Sequence, residues 1–383
     1  MIYLDTAAAT PVCKKARLAM EPFLANEFYN PSALYTVARK ARACFEKARH
    51  DIAKVIGACK NEVIITAGAT ESINLALNSF SNILASQIEH AAVLACAGKN
   101  LIRVDACGRV DLNDLKKKIT FNTELVSVGY ANSEIGTVQP IKEITEIIRE
   151  ERKRRLKQDS KTPLYLHIDA SAAAGLLDLN VARLGIDLMT LNSGKCYGPK
   201  QVGALYVRAG VKLKPLIRGG GQEMGLRSGT ENVAGAVGFA AALVQAERKR
   251  KHETKRLSAL RDDLEKFIVS EFPEVRINSS SKYRLSNILN FSLAGLDGER
   301  AVFALDFAGV MCATGSACAA NSNDRSHVLT AIGLTNAEID GSLRMSLGRF
   351  TTQTEIDQTK RILKKVLPKE LKISKQQEKN VVE

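Results

Sequence analysis

Two residues of this chain carry nucleophiles on stretches too small to bury them. Cys318 sits in ATGSACAAN, flanked by Gly315, Ser316 and Ala317. The thiolate is the reactive form of cysteine and an apolar pocket raises its pKa, so an open setting suits a reactive thiol. Lys195 lies in NSGKCYGPK, between Gly194 and Cys196 and ahead of Gly198 and Pro199. An amine held on such a turn is placed for a carbonyl compound to approach and form a Schiff base. Taken singly, each motif also fits a surface turn with an incidental Cys or Lys. Two further features add charge recognition. TAGATESINLAL sets Gly68, Ala69 and Thr70 at a helix N-terminus, where free backbone N–H groups and the positive dipole end favour an anion such as a phosphate. LHIDAS places Asp169 at the end of a buried strand, where a carboxylate needs a cationic partner or a full donor set to stay ionised. Alone, Asp169 reads as a helix cap.

These residues need elements to position them. Short apolar runs alternate with longer amphipathic ones through the first two thirds, the pattern of βα units around a largely parallel sheet. Strands are predicted at 62–66 (EVIIT), 125–130, 164–168, 188–191 and 204–207, with helices over about 36–55, 70–80 and 141–157. Several strands end directly at polar residues: at 68–70, at Ser133 and Glu134, at Asp169 and at Lys195. Ligands of open α/β sheets bind at the carboxyl ends of the strands, so these positions are expected to converge. A long helix over roughly 235–271 is followed by a smaller α+β pattern: strands in EVRIN, NILNFSL and SLRMSLG, and helices near 298–307 and 355–367. The expected division is a large domain over 15–255 and a smaller one from 1–14 and 256–367. Residues 368–383 lack periodic apolar positions and are expected to be a tail without fixed structure.

Composition narrows the class. At 383 residues, 45% hydrophobic and 25% charged, the chain is a globular protein too long for one small core. Its start, MIYLDTAAATP, has no basic and apolar leader, and its longest weakly polar run, at 234–246, is too short to span a bilayer, so a cytoplasmic protein without membrane contact is expected. Eight cysteines lack C-x-x-C or zinc spacing, which predicts reduced thiols and no metal. Cys312 is close enough to Cys318 for a redox pair but is better read as core. The net charge of +14 resides mainly in clusters near Arg152 and Lys249 and in the tail. Both clusters alternate with Glu on amphipathic patterns and carry no aromatic residues, so a solvated helix face or an acidic protein partner is expected rather than direct nucleic-acid binding.

An amine, a carboxylate and a phosphate cradle are together what pyridoxal 5'-phosphate requires. The ordered series YLDTAAATP, NPSALY, TAGATESINLAL, EHAAVL, NSEIGTVQP, HIDAS, SGKCYGPK, GGGQEMGLRSGTENV, GSAC and SLRMSLGRF resembles the cysteine desulfurases of the NifS/IscS type, from Tyr3 to about Leu367. That resemblance implies a fold type I pyridoxal-phosphate transferase, α/β, with a mostly parallel seven-stranded-type sheet in the large domain, and a homodimer. It implies Lys195 as the Schiff-base lysine, Asp169 as partner of the ring nitrogen and His90 as the histidine stacked on the ring. His90 by itself reads equally as a cap of the helix in EHAAVLAC. Gly68, Ala69, Thr70 and Asn192 correspond to the phosphate site, with Thr230 reaching it from the second subunit. Arg344, helped by Ser133, corresponds to the grip on the substrate carboxylate, a task for which guanidinium geometry is suited. Cys318 corresponds to the cysteine that takes sulfur from L-cysteine, leaving L-alanine, and passes it to an acceptor protein of iron–sulfur cluster assembly or tRNA thiolation.

The sequence departs from the family pattern where Ala172 replaces a glutamine, Gly194 a histidine, Asn192 a serine, Ser133 an asparagine and Tyr35 a histidine. Ala172 and Gly194 offer no side-chain donor; two lost neutral hydrogen bonds at about 0.5–1.5 kcal/mol each predict looser cofactor retention, not a dead enzyme. Rival readings are a selenocysteine lyase or an aminotransferase of the same fold, and a non-enzymatic scaffold or RNA-binding relative. An aminotransferase has no use for Cys318, and the joint presence of Lys195, Asp169, Arg344 and Cys318 argues against a scaffold.

Overall fold

The computed structural model describes residues 1–315 and 325–382. Cys318 therefore lies outside the described residues. A seven-stranded sheet runs in the spatial order Val63–Thr66, Gly203–Val207, Leu188–Asn192, Tyr165–Asp169, Leu125–Gly129, Ile83–Ser86 and Leu101–Ile102. Gly203–Val207 is antiparallel to both neighbours, and the other pairings are parallel. Successive side chains of a strand point to opposite faces, and both faces here are apolar. Val126, Val128, Met189 and Leu191 pack with the helices Thr36–Ile56 and Ile141–Lys157 and the first half of the helix Val233–Glu271. Leu125, Leu188, Leu205 and Val207 face the opposite way, against the helices Ala69–Leu77 and Ala91–Ala97. The apolar runs thus read as strands buried on both sides.

A second core surrounds the antiparallel sheet of Ser342–Ser346, Ile288–Ser292 and Arg276–Ile277. It draws in Leu257, Leu260, Leu264 and Ile268 from the later half of Val233–Glu271, so one 39-residue helix, about 58 Å long at 1.5 Å per residue, serves both cores. The chain's first strand, Ile2–Tyr3, pairs in parallel with Val310–Met311 and brings Leu4 and Asp5 to this second unit. Cys312 is buried in the same core, as expected of a small hydrophobe.

Two expectations require correction. Residues beyond 367 do not form an unstructured tail, because the last helix spans Gln353–Val382 with Pro368 inside it. Lys, Glu and Gln are good helix formers, and the helix has tertiary support past Leu367: Leu371 packs on the second core, and Ser374 is buried and accepts the Asp297 N–H at 3.1 Å. The basic cluster near Arg152 is also not wholly a solvated face. Arg155 is buried and donates to the carbonyls of Thr120, Thr162 and Pro163, while Arg152 pairs with the buried Asp187. The cluster near Lys249 is mixed: Arg248, Lys249, Lys251 and His252 are exposed, whereas Arg256 donates to the carbonyls of Gly348, Arg349 and Thr351 as well as pairing with Glu253 at 3.2 Å. No helix among the described residues is long and apolar enough to cross a membrane.

One buried ion pair ties a loop to the sheet edge. Both guanidinium ends of Arg49 donate to Glu223 at 2.6 Å, and Glu223 also accepts the Ile65 N–H at 2.7 Å. Glu223 and its neighbour Met224 hold positive φ angles of 43° and 59°, a local strain that this pair secures. Removing one partner of a buried pair leaves an uncompensated charge. Glu223→Ala is therefore expected to cost about 3–5 kcal/mol in denaturant unfolding, and the apolar double variant Arg49→Met with Glu223→Leu to cost less.

Candidate active site

Parallel strands of one sheet end on one edge, and here that edge gathers the chemistry. Tyr165–Asp169 ends in Asp169, Leu188–Asn192 leads through the short turn Ser193–Lys195 to the amine, and the segments after Leu125–Gly129 and Ile83–Ser86 supply Ser133 and His90. A cavity of about 510 Å³ is lined by Ala69, Thr70, His90, Ser133, Asp169, Asn192 and Lys195. Gly68 belongs to an adjoining cavity that shares Ala69, Thr70, Asn192 and Lys195. Among the lining residues Arg344 and Thr230 are missing.

Local geometry explains each placement. Asn192 Oδ1 accepts the Gly194 N–H at 3.0 Å and closes the turn that presents Lys195. The Lys195 ammonium donates to the carbonyls of Ala7 and Ala8, the latter at 2.8 Å, so the first loop of the chain meets the end of the sheet here. Gly68, at φ 148°, turns the chain into the helix Ala69–Leu77, whose first N–H groups precede the first intrahelical bond. A side chain at Gly203 would meet Gly68 Cα at 2.8 Å, so the strand can pass under this turn only as glycine. Asp169 Oδ1 accepts the Ser171 N–H at 2.9 Å. Two residues earlier His167 is fully buried between Ser127 Oγ, at 2.8 Å, and Thr190 Oγ1, at 3.0 Å. Burial pushes its pKa down to about 4, so it stays neutral. His90 does cap the helix Ala91–Ala97, its Nδ1 accepting the Ala92 N–H at 3.1 Å, and it also lines the cavity.

Arg344 differs from expectation. It is 2% exposed, lies behind Ser133, and donates to Asp5 Oδ1 at 2.7 Å and to the Ser133 carbonyl at 3.3 Å. Its Nε has no hydrogen-bond partner. Asp5 thus orients the guanidinium, a function that the sequence reading missed although an acid in the otherwise apolar start IYLD was its signal. Thr230 is exposed.

Two buried carboxyl groups belong to this edge as well: Glu134, which the sequence places with Ser133 at a strand end, and Glu89, which the sequence did not single out. Glu134 lines the cavity, accepts Ser326 Oγ at 2.6 Å, and would touch a Cβ at Gly315 at 3.0 Å. It therefore lies beside Gly315 and Ser326, and burial raises its pKa against the opposing effects of Ser326 and Arg344. Glu89 lines the cavity beside His90 and accepts the Gly129 N–H at 2.8 Å; Gly129 is the strand partner of Asp169. Burial, the Asp169 charge adding to it, pushes the Glu89 carboxyl up to about 8, against its hydrogen bonds from Gly129 and Ser86. The folded state then binds a proton that the unfolded chain releases near 4.5, so this contribution to stability is complete below that pH and is lost as pH rises through about 8. Glu89→Gln, which keeps the neutral shape, is expected to gain in thermal midpoint relative to the wild type as pH is raised from 5 to 9. A constant difference across that range in calorimetry would contradict the assignment.

The comparisons with known proteins agree with this geometry. The family model for aminotransferase class-V matches residues 2–359. The chain is 40% identical over 384 residues to a cysteine desulfurase IscS of Dictyoglomus turgidum, covering 96% of this chain and 95% of that one. It is 39% identical to cysteine desulfurase IscS 1 of Archaeoglobus fulgidus, covering 96% and 97%. A solved NifS-like protein superposes with a TM-score of 0.87 at 31% identity, over 96% of this chain and 99% of the other. SspA in complex with cysteine superposes at 0.75 and 33% identity, over 92% and 100%. With the family model matched over nearly its whole length, and with the fold type I architecture of those neighbours, the chain belongs to the class-V aminotransferase family of pyridoxal-phosphate-dependent enzymes.

Proposed function

We propose that this chain is a cysteine desulfurase that converts L-cysteine to L-alanine and leaves the sulfur as a persulfide on Cys318. The observation that carries this reading is the meeting, in one cavity, of an amine, a strand-end carboxylate and a helix start able to hold a phosphate, with Glu134 beside Gly315 and Ser326. Those groups fit pyridoxal phosphate: Lys195 for the covalent bond, Asp169 for the ring nitrogen, and Gly68, Ala69, Thr70 and Asn192 for the phosphate. When bound, the cofactor supplies an electron sink for the substrate carbon. Nothing at Ala172 or Gly194 donates to it from a side chain.

The chain's own groups do the rest. Lys195 would hold the cofactor covalently, and its amine, when free, would take and return the substrate's Cα proton. Asp169 would stand against the ring nitrogen, and Glu89 is held toward its neutral form by burial. Arg344, preset by Asp5, and Ser133 hold the substrate carboxylate. His90, whose Nδ1 accepts the Ala92 N–H and which lines the cavity, would handle protons of the substrate thiol. The Cys318 thiolate attacks the substrate sulfur. An S–S bond forms as the C–S bond breaks, with its electron pair left on the carbon that takes a proton to become the alanine methyl group.

A second copy of the chain completes the site in this reading. Thr230 is exposed, and the surface near it is apolar: Leu24, Phe28 and Leu34 are 68%, 70% and 92% exposed, with Ile217 and Met224 at 40% and 48%. Contacts of Ser32 and Arg42 with Glu231 join these two segments. A patch of this kind marks an interface. An acceptor protein of iron–sulfur assembly or tRNA thiolation then takes the sulfur.

Two results test the reading. Purified protein with pyridoxal phosphate and a thiol reductant should release L-alanine from L-cysteine. Cys318→Ala should keep the cofactor's visible absorbance and lose the release, whereas Lys195→Ala should lose both; turnover retained in Cys318→Ala would refute its assignment. Phe28→Asp with Leu34→Asp should shift sedimentation from dimer to monomer and weaken cofactor retention about tenfold or more, as loss of interface anchors does.

A further inference from the structure

The adjoining cavity, of about 550 Å³, is lined by Gly68, Ala69, Thr70, Asn192, Lys195 and Lys200. The helix Ala69–Leu77 begins here, so the cavity receives its first N–H groups and the positive end of its dipole. A phosphate monoester carries about −1.5 to −2 charges near neutral pH. A helix start answers with roughly half an elementary charge, and the side chains of Thr70 and Asn192 are neutral. Lys195 is committed to the covalent bond in the function proposed above. Lys200 is the other cation lining this cavity among the described residues. The cavity's carboxylate, Glu71, is already matched, since it accepts the Arg227 Nε–H at 3.1 Å and the Ala67 N–H at 3.0 Å.

The turn after Lys195 sets where Lys200 lies. Thr10 of the first loop donates its N–H to the Gly194 carbonyl at 3.1 Å, its hydroxyl accepts the Tyr197 N–H at 2.9 Å, and its carbonyl meets the Lys200 ammonium at 3.5 Å. A Cβ at Gly198 would run into Ser193 Oγ at 2.1 Å, so the turn closes this tightly only as glycine. The Lys200 stem passes beside Gly194, where a Cβ would stand 3.6 Å from Lys200 Cγ. Gly194, which itself lines the cavity without a side chain, leaves that side to the lysine. Lys200 forms no ion pair among the described residues, and its bond to Thr10 is at the long limit, so an ammonium with three donors has capacity for an anion.

We propose that Lys200 is the phosphate-binding cation of this chain. Resting on the function proposed above, its ammonium takes the phosphate group of the cofactor together with the backbone of residues 68–70 and Asn192. A lysine ammonium is a compact point charge that serves phosphate well, and a charge-assisted hydrogen bond is roughly twice as strong as a neutral one. Lys200 thereby offsets the side-chain donors that Ala172 and Gly194 do not supply.

The test compares the full-length wild type with Lys200→Met and Lys200→Arg, each freed of cofactor and then titrated while its visible absorbance is followed. One titration uses pyridoxal phosphate and the other pyridoxal, which keeps the ring and the aldehyde but has no phosphate. Lys200→Met is expected to weaken binding of pyridoxal phosphate about tenfold or more and to leave that of pyridoxal close to the wild type, whereas Lys200→Arg, which keeps the charge, stays near the wild type for both. Equal losses for the two compounds in Lys200→Met would assign Lys200 to the shape of the turn and overturn the proposal. Pyridoxal phosphate bound by Lys200→Met as tightly as by the wild type would overturn it as well. Should Lys200→Met fail to fold, Lys200→Gln takes its place and the same comparison decides. A wild-type protein that develops no visible band with pyridoxal phosphate would overturn the cofactor reading and this proposal with it, a result distinct from a wild type that binds and a variant that does not differ.

Discussion

The register between two neighbouring strands governs this molecule's chemistry. Asp169 pairs with Thr190 across the parallel strands Tyr165–Asp169 and Leu188–Asn192, and five residues beyond Thr190 the chain delivers Lys195. A slip of one residue would turn Asp169 from the cavity and its neighbours Ile168 and Leu166 out of the core. The cores on the two faces of the sheet are therefore what hold an amine and a carboxylate at a fixed separation. The first loop of the chain closes the arrangement from the other side, through the carbonyls of Ala7 and Ala8 on Lys195 and through Asp5 on Arg344.

The site is also a concentration of buried ionisable groups. Glu89, Glu134, His167 and Arg344 are almost or wholly inaccessible, each with a different resolution of the cost: Glu89 by holding its proton, His167 by staying neutral between two hydroxyls, Arg344 by pairing with Asp5, and Glu134 by the Ser326 hydroxyl. A rigid frame makes these choices durable. The helix Val233–Glu271 spans both cores, so the elements that carry Arg344 and those that carry Lys195 share one stiff member.

Much of this was legible in the residues. Strands buried on both faces appear as continuous apolar runs, and the endpoints at Asp169 and Lys195 follow from where such runs meet polar residues. The strands Ile83–Ser86 and Leu101–Ile102 are too short and too mixed to stand out, and only their neighbours in the sheet identify them. The C-terminal extension of the last helix was hidden because its support at Leu371 and Ser374 is tertiary and its own pattern is mostly charged. Within the cavity, residues with a local signal such as Lys195 and Asp169 stand out in the sequence, whereas Asp5 and Glu89 do not. Each of these acquires its meaning from a partner far away in sequence: Arg344 for Asp5, Gly129 and Asp169 for Glu89.

The central claim is that the cavity's groups act together to move one sulfur atom from L-cysteine to Cys318. Mass spectrometry of the protein after incubation with pyridoxal phosphate and L-cysteine, followed by alkylation, tests it directly. The account predicts one added sulfur atom on the peptide containing Cys318, matched by one L-alanine per subunit in a single turnover. Alanine formed while that peptide stays unmodified, or sulfur found on another cysteine and not on Cys318, would contradict it.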